Sequence, residues 1–240
     1  MIDLSVVMPV YDEVAVIEQV LREHRDVLDQ RFAAGAAELV VVDDGSTDGT
    51  GALLDRLAGE IPGLVVLHQP RNAGPGPALY RAMETARGAW LLHLDADGQT
   101  VPHDLWRLWD RRDEADLLIG VRRPRRDPVH RLVVTRMTRL VVWAVSGRRL
   151  EDANAPFKLI RRALWDDLRP AIDPTAFAPS LLLGLGAVRR GWRVVEIPVS
   201  HRQRPVGRST FRMGRLAGAV LAAGRQAVTF RRSVGRLPER

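Results

Sequence analysis

Short apolar runs alternate with amphipathic stretches through the first hundred residues, and the two periods predict the elements. Leu4-Ser5-Val6-Val7-Met8, closed by Pro9, has the length and composition of a buried strand. After Tyr11-Asp12-Glu13 a helical pattern extends to about Phe32, with Val16, Val20, Val27 and Leu28 on one stripe. Glu38-Leu39-Val40-Val41-Val42 is a second, β-branched run. Thr47 or Asp48 is then placed to cap a helix reaching about Ala58. Leu64 to His68 predicts a third strand, Arg71 to Pro77 a loop opening a helix to about Arg87, and Trp90 to Leu94 a fourth strand. Strands alternating with helices predict an α/β chain, a doubly wound and mostly parallel sheet with helices on both faces.

Ligands of such sheets bind outside the carboxyl ends of the strands. Polar clusters stand there: Tyr11 to Glu13 after the first strand, Asp43 to Asp48 after the second, Asp95 to Gln99 after the fourth. In Asp95-Ala96-Asp97-Gly98-Gln99, extended geometry carried past Leu94 would send both carboxylates to one side. Paired carboxylates suit Mg²⁺, which takes one or two of them and leaves its other positions to water and phosphate oxygens. Asp-x-Asp-Gly is equally good turn chemistry. On these residues alone the two readings are even.

The second half is less regular. Asp116 to Gly120 predicts a fifth strand, followed by the basic Arg122-Arg123-Pro124-Arg125-Arg126. From about Val129 to Val145 a helical pattern places Leu132, Val133, Met137, Leu140, Val141 and Trp143 among Arg131, Arg136 and Arg139. It fits a core helix, or a helix lying on a membrane with one basic side. Glu151 to Lys158 precedes a short strand and helix; Pro179 to Arg190 predicts a helix and Trp192 to Val199 a strand. From Phe211 the chain is rich in Arg, Ala and Val, with no acidic residue before Glu239. No repeat or long linker appears. The expected organisation is one domain over 1–212 and a basic, amphipathic helical tail over 213–240.

Composition narrows the chemistry. At 46% hydrophobic and 27% charged, the 240 residues have an ordinary globular make-up. The absence of cysteine excludes disulfides, thiolate metal sites and a cysteine nucleophile. No basic region precedes the first apolar run, and no stretch reaches the ~18–20 apolar residues of a membrane span. A cytoplasmic protein, peripheral on the inner face of the membrane, is the expectation. The net charge of +7 is almost all arginine, Lys158 being the sole lysine. It suits nucleic acid, anionic lipid or phosphorylated substrates. With 5% aromatic residues and no helix-turn-helix or zinc-finger signal, nucleic acid is not expected. Neither a Gly-x-Gly-x-x-Gly nor a Walker loop follows the first strand. A nucleotidyltransferase would want a basic pyrophosphate loop where this chain has Tyr11-Asp12-Glu13.

Four segments occur in order: Met8-Pro9-Val10-Tyr11-Asp12-Glu13, Val42-Asp43-Asp44-Gly45-Ser46-Thr47-Asp48-Gly49-Thr50, Arg71-Asn72-Ala73-Gly74 and Asp95-Ala96-Asp97-Gly98-Gln99. Together they resemble the family-2 inverting glycosyltransferases of the GT-A fold. The resemblance implies that Pro9, Tyr11, Glu13, Asp43, Asp44, Asn72 and Gly74 hold the nucleotide of a GDP- or UDP-linked sugar. It also implies that Asp95, Asp97 and Gln99 hold Mg²⁺ or Mn²⁺ against its diphosphate. Gly120-Val121-Arg122 with Arg131 and Thr135 resembles the acceptor segment of the dolichyl- and polyprenyl-phosphate sugar transferases. Arg204-Pro205-Val206-Gly207-Arg208-Ser209 resembles the R-x-x-G-x-S element that closes over the donor diphosphate there. The likeness spans about residues 4 to 213. It departs at Asp12 for asparagine, Thr135 for serine, and Thr210 for lysine, the last weakening one phosphate contact.

Departure of a nucleoside diphosphate builds negative charge on its phosphates, which a divalent cation and aimed arginines stabilise. The expected catalytic residues are Asp97, Arg122, Arg131, Arg204 and Asp152, the last a general base or merely a turn-capping aspartate. The leading expectation is sugar transfer to a polyprenyl phosphate at a membrane surface. The alternative keeps the donor chemistry with a hydroxyl acceptor: a sugar, a lipid headgroup or a natural product.

Overall fold

A computed structural model describes residues 1–122, 143, 147, 150–152, 155–176, 178–200, 202, 230 and 234. Its strands are β1 (Leu4–Val10), β2 (Ala37–Asp43), β3 (Leu64–His68), β4 (Trp90–His93), β5 (Leu117–Arg122), β6 (Lys158–Arg161) and β7 (Val194–Val199). They form one sheet in the order β3-β2-β1-β4-β6-β5-β7. The pairs β1–β2, β1–β4, β2–β3 and β5–β7 are parallel, while β6 runs antiparallel to both β4 and β5. Because β6 is reversed, the loop entering it at Lys158 lies at the edge where β4 and β5 end. That edge therefore collects Asp95, Arg122 and the Glu151–Lys158 loop.

The helices are α1 (Ile17–Asp29), α2 (Thr50–Glu60), α3 (Pro75–Thr85), α4 (Leu105–Trp109), α5 (Arg162–Leu168) and α6 (Pro179–Arg189). Strand side chains alternate between faces, so the sheet has two cores. Val7, Val40, Leu91, Leu117, Ile119 and Ile160 pack with α3, α5 and α6. Val6, Met8, Leu39, Val41, Leu92, Leu118 and Leu159 pack with α1, α2 and α4 on the other face. Helices on both faces and a mostly parallel sheet are what the periodicity predicts.

The differences are local. The helix expected to reach Phe32 ends at Asp29, and the cap of α2 is Gly49, at φ 98°. Asp48 still serves that helix start, its Oδ1 accepting from Thr50 N (3.0 Å) and from the Thr50 hydroxyl. The 3-10 turn Pro102–Asp104 and α4 were not expected, since five residues are too few to show a period. Among the described residues no helix is long and apolar enough to cross a membrane.

Arg131, Thr135, Arg204, Ser209 and Thr210 lie outside the described residues, as does most of the helix expected over 129–145. Trp143, within that stretch, is helical and 47% exposed. In the tail expected over 213–240, Phe230 and Val234 are described, and both are buried in the α3/α5/α6 core. Arg189 Nε donates to Val234 O at 3.0 Å.

Candidate active site

The loops after β1, β2 and β3 are tied into one wall. Asp12, at φ 51°, is the one described residue other than glycine with positive φ; aspartate and asparagine tolerate that region best among side chains. Its backbone N–H donates to Ser46 Oγ (2.9 Å), and its Oδ1 accepts from Thr47 N (2.8 Å). Glu13 N donates to Thr50 Oγ1 (3.0 Å) and Val14 N to Asp48 Oδ2 (3.1 Å). Asp12 therefore fills the asparagine position with its acceptor in use. Gly45, at φ +70°, has no room for a side chain: a Cβ would meet Arg71 C at 2.7 Å.

Asp44 is buried beneath this wall, with Oδ1 accepting from Ala73 N and Oδ2 from Gly74 N, both at 2.8 Å. Burial pushes its carboxyl up against the pull of those two bonds. The residue expected to grip the nucleotide thus also builds the loop that would enclose it. Tyr11 stands with Asp12, Asp44 and Asn72, and the Asp12 carboxylate pushes its phenol up. Pro9 lies within β1 opposite Val42. Asp43 is buried, accepting from Ser46 N (3.0 Å) and facing His68 Nδ1 (3.0 Å). Burial raises the Asp43 carboxyl, but the bonds from Ser46 and His68 outweigh it and leave it below the usual range.

Across the wall, β4 stops at His93, yet alternation persists: Leu94 and Ala96 are buried, Asp95 is exposed and Asp97 half-buried. Asp97 Oδ1 accepts from Gln99 N at 3.1 Å. The segment is therefore a turn, as one reading of the sequence has it, and it presents both carboxylates. They open on a cleft of about 430 Å³, continuous with solvent, lined also by Gln99, Arg122, Phe157 and Ser200. Two carboxylates beside open space match a hard cation that takes its remaining ligands from water and phosphates. Among the described residues no three His, Asp or Glu side chains group to hold a metal by themselves, so the cleft's other oxygen donors would have to contribute. Gln99 backbone O accepts from Arg202 N (2.8 Å) and its Nε2 donates to Arg202 O (3.4 Å). Its Oε1 is the atom suited to a cation.

Arg122 ends β5 on the far side of the cleft. Its Nη2 donates to Asp152 Oδ2 at 3.3 Å, and its buried Nε–H has no partner among the described residues. Asp152 is itself buried. The structure thus joins Asp95, Asp97, Gln99 and Arg122 around one opening, with Asp152 bonded to Arg122. Arg131, Arg204 and Ser209 are outside the described residues.

Several residues here carried no sequence signal. Asp104 Oδ2 accepts from Ser200 N and so holds the start of the segment leading to Arg204. Lys158, fully buried on β6, donates from Nζ to Ser180 O (2.9 Å) and to its hydroxyl. Burial pushes that ammonium down to about 7, while Asp152 and Asp95 oppose the shift. His93, opposite it on β4, is driven to about 3 by burial and then by the Lys158 charge, which keeps the imidazole neutral. The one available hint was a single lysine inside a strand of an arginine-rich chain.

Residues 5–168 match the family described as Glycosyl transferase family 2. Polyprenol monophosphomannose synthase of Mycolicibacterium smegmatis is 33% identical over 215 residues, covering 84% of this chain and 78% of that protein. Undecaprenyl-phosphate 4-deoxy-4-formamido-L-arabinose transferase of Pseudomonas paraeruginosa is 33% identical over 219 residues, 90% of this chain but 62% of that protein's length. Among solved structures, mannosyl-3-phosphoglycerate synthase from Rubrobacter xylanophilus superposes with a TM-score of 0.70 at 18% identity, over 99% of this chain and 76% of that one. Mannosyltransferase PcManGT from Pyrobaculum calidifontis, solved with GDP-Man and Mn²⁺, gives 0.61 at 18% identity, over 96% and 73%.

Proposed function

The chain belongs to glycosyl transferase family 2, and from that premise we propose that it transfers a sugar from a GDP- or UDP-linked donor to a polyprenyl phosphate at a membrane surface. It is a glycosyltransferase with the GT-A fold. The observation that carries the acceptor reading is the state of Arg122. Its guanidinium lines the cleft opposite Asp95 and Asp97 and keeps an unpartnered, buried N–H among the described residues. A guanidinium on the cleft is a cation placed for an anionic acceptor.

The two acceptor types need opposite things. A phosphomonoester is largely ionised near neutrality, its second pKa being about 6, so it attacks without a protein base but must be held by cations. A hydroxyl needs proton removal in the transition state. Asp152 would be the base, yet its Oδ2 accepts from Arg122; protonating it would cost that pair. In this reading Asp152 aims Arg122, and Arg122 with Arg131 and Thr135 holds the acceptor phosphate. The names of the two relatives, a polyprenol monophosphomannose synthase and an undecaprenyl-phosphate 4-deoxy-4-formamido-L-arabinose transferase, point the same way.

Asp95, Asp97 and Gln99 Oε1 would hold Mg²⁺ or Mn²⁺, which offsets the charge developing on the leaving diphosphate. Tyr11, Glu13, Asp43, Asp44, Asn72 and Gly74 would line the nucleotide, and Arg204 and Ser209 would close on the diphosphate from the segment that Asp104 and Gln99 anchor. An acceptor phosphate oxygen forms the new bond to the anomeric carbon as the bond to the diphosphate breaks, with inversion. Attachment would be peripheral on the inner face of the membrane, for which the net charge of +7 and the exposed Trp143 supply anionic-lipid and interfacial contacts.

The test measures label transfer from GDP- and UDP-sugars to undecaprenyl phosphate with Mn²⁺. Arg122→Ala should raise the apparent KM for the lipid phosphate by about tenfold or more, the loss expected of a charge-assisted contact, and more than Asp152→Asn does. Faster transfer to a hydroxyl acceptor, abolished by Asp152→Asn, would replace this reading with the base-catalysed one.

A further inference from the structure

Glu196 interrupts an apolar strand, Val194-Val195-Glu196-Ile197, at a register position opposite Ile119 of β5. Its side chain turns to Glu151 and Asp152. Oε1 accepts from Glu151 N at 2.6 Å and from Asp152 N at 3.1 Å. We propose that Glu196 is a positioning residue for the acceptor site, clamping the backbone of Glu151 and Asp152 so that the Asp152 carboxylate aims Arg122 into the cleft. The inference rests on the reading of Arg122 as the cation for the acceptor phosphate.

Three observations make Glu196 more than a loop tie. The chain of contacts is continuous: Glu196 Oε1 to Asp152 N, Asp152 Oδ2 to Arg122 Nη2 at 3.3 Å, and Arg122 to the cleft it shares with Asp95 and Asp97. The choice of a carboxylate is costly. Burial, and then the charges of Glu151 and Asp152, push Glu196 up, against the pull of the two main-chain donors. Stability alone would be served by a residue bringing no third negative charge to Glu151 and Asp152. What a carboxylate adds is stronger, charge-assisted bonds to two successive N–H groups. Those fix the direction in which the second residue's side chain leaves the backbone. Finally, the clamp comes from β7, whose pairing with β5 runs from Leu117–Val194 to Arg122–Val199. One rigid pair of strands thus carries both Arg122 and the residue that sets its partner, as a site needing narrow tolerances requires.

The experiment compares Glu196→Ala, Glu196→Gln and Arg122→Ala in the transfer assay, with amide hydrogen exchange at residues 151 and 152. Glu196→Ala should raise the apparent KM for undecaprenyl phosphate about tenfold, with the KM for the nucleotide sugar moving less than about twofold. Glu196→Gln, which keeps an acceptor oxygen but not its charge, should recover part of the affinity. In an Arg122→Ala background the loss should not recur, since coupled positions are not additive. Exchange at the two amides should speed up in Glu196→Ala, and less in Glu196→Gln. If Glu196→Ala does not fold, Glu196→Leu, similar in volume and lacking an acceptor, takes its place. A rise in acceptor KM for Arg122→Ala without one for Glu196→Ala or Leu overturns the positioning role alone. No rise for Arg122→Ala overturns the acceptor reading, and this inference with it.

Discussion

At the scale of single residues, the D-x-D turn allows the proposed metal binding to be tested apart from folding. Asp97 is half-buried, and its Oδ1 accepts from Gln99 N. An asparagine oxygen can accept that bond equally well, so Asp97→Asn should leave the unfolding free energy within about 0.5 kcal/mol of wild type, as surface changes do. On the proposed function it removes a charge from a ligand of the hard cation. Mn²⁺ binding by calorimetry should therefore be lost together with transfer, and excess chelator should silence the unaltered protein in the same way. Full activity in chelator would remove the metal from the account. This pair was legible in the sequence because both carboxylates follow a strand-length apolar run at period two. Glu196, Asp104 and Lys158 were not legible. Their roles depend on segments 44, 96 and 22 residues away that only the fold brings near.

Among the elements, what the periodicity predicted is what local physics controls. Among the described residues, each predicted strand and helix agrees with the sheet and the helices to within a few residues, α4 being unexpected. The antiparallel direction of β6 could not be read, because a four-residue strand carries no mark of its direction. Nor could the knitting of the first three loops, which rests on Asp12, Asp44 and Asp48 bonding to backbone across them. His68 at the end of β3 offers a test there. It bridges Asp43 and Asp55 at 3.0 Å each, and these contacts, Asp43 foremost, raise its pKa above 6.5. A histidine raised in this way contributes stability in full below the unfolded value, and loses it as pH climbs through the folded one. Stability should accordingly fall in the window just above pH 6.5. With His68 40% exposed, the drop should be below about 1 kcal/mol. His68→Asn should flatten that part of the urea-midpoint profile against pH, and an unchanged slope would show the bridge to be idle.

On the proposed function, the whole molecule has to bring its donor site to a phosphate in a lipid surface, and its charge is a means to do so. The surplus of +7 is carried by arginine, and the chain from Phe211 contains Arg212, Arg215 and Arg225 with no acidic residue before Glu239. Each arginine near an anionic surface is worth about 1 kcal/mol. Deleting the tail would not isolate that effect, because Phe230 and Val234 are buried in the same core as α6, and a Cβ on Gly186 would meet the Phe230 ring at 3.0 Å. Removing them would open cavities whose cost is about 2–5 kcal/mol for a large side chain, and lost binding would then report unfolding. Charge substitution keeps the core. Arg212→Gln, Arg215→Gln and Arg225→Gln combined should weaken co-sedimentation with phosphatidylglycerol vesicles by about 100-fold if all three lie at the surface, following the same per-residue figure. Thermal stability and transfer to a short-chain, detergent-dispersed acceptor should persist. Added salt should weaken the unaltered protein toward the level of the triple variant, since the attraction acts only within a Debye length. Equal binding to neutral and anionic vesicles would mean that apolar contacts, Trp143 foremost, hold the protein to the membrane instead.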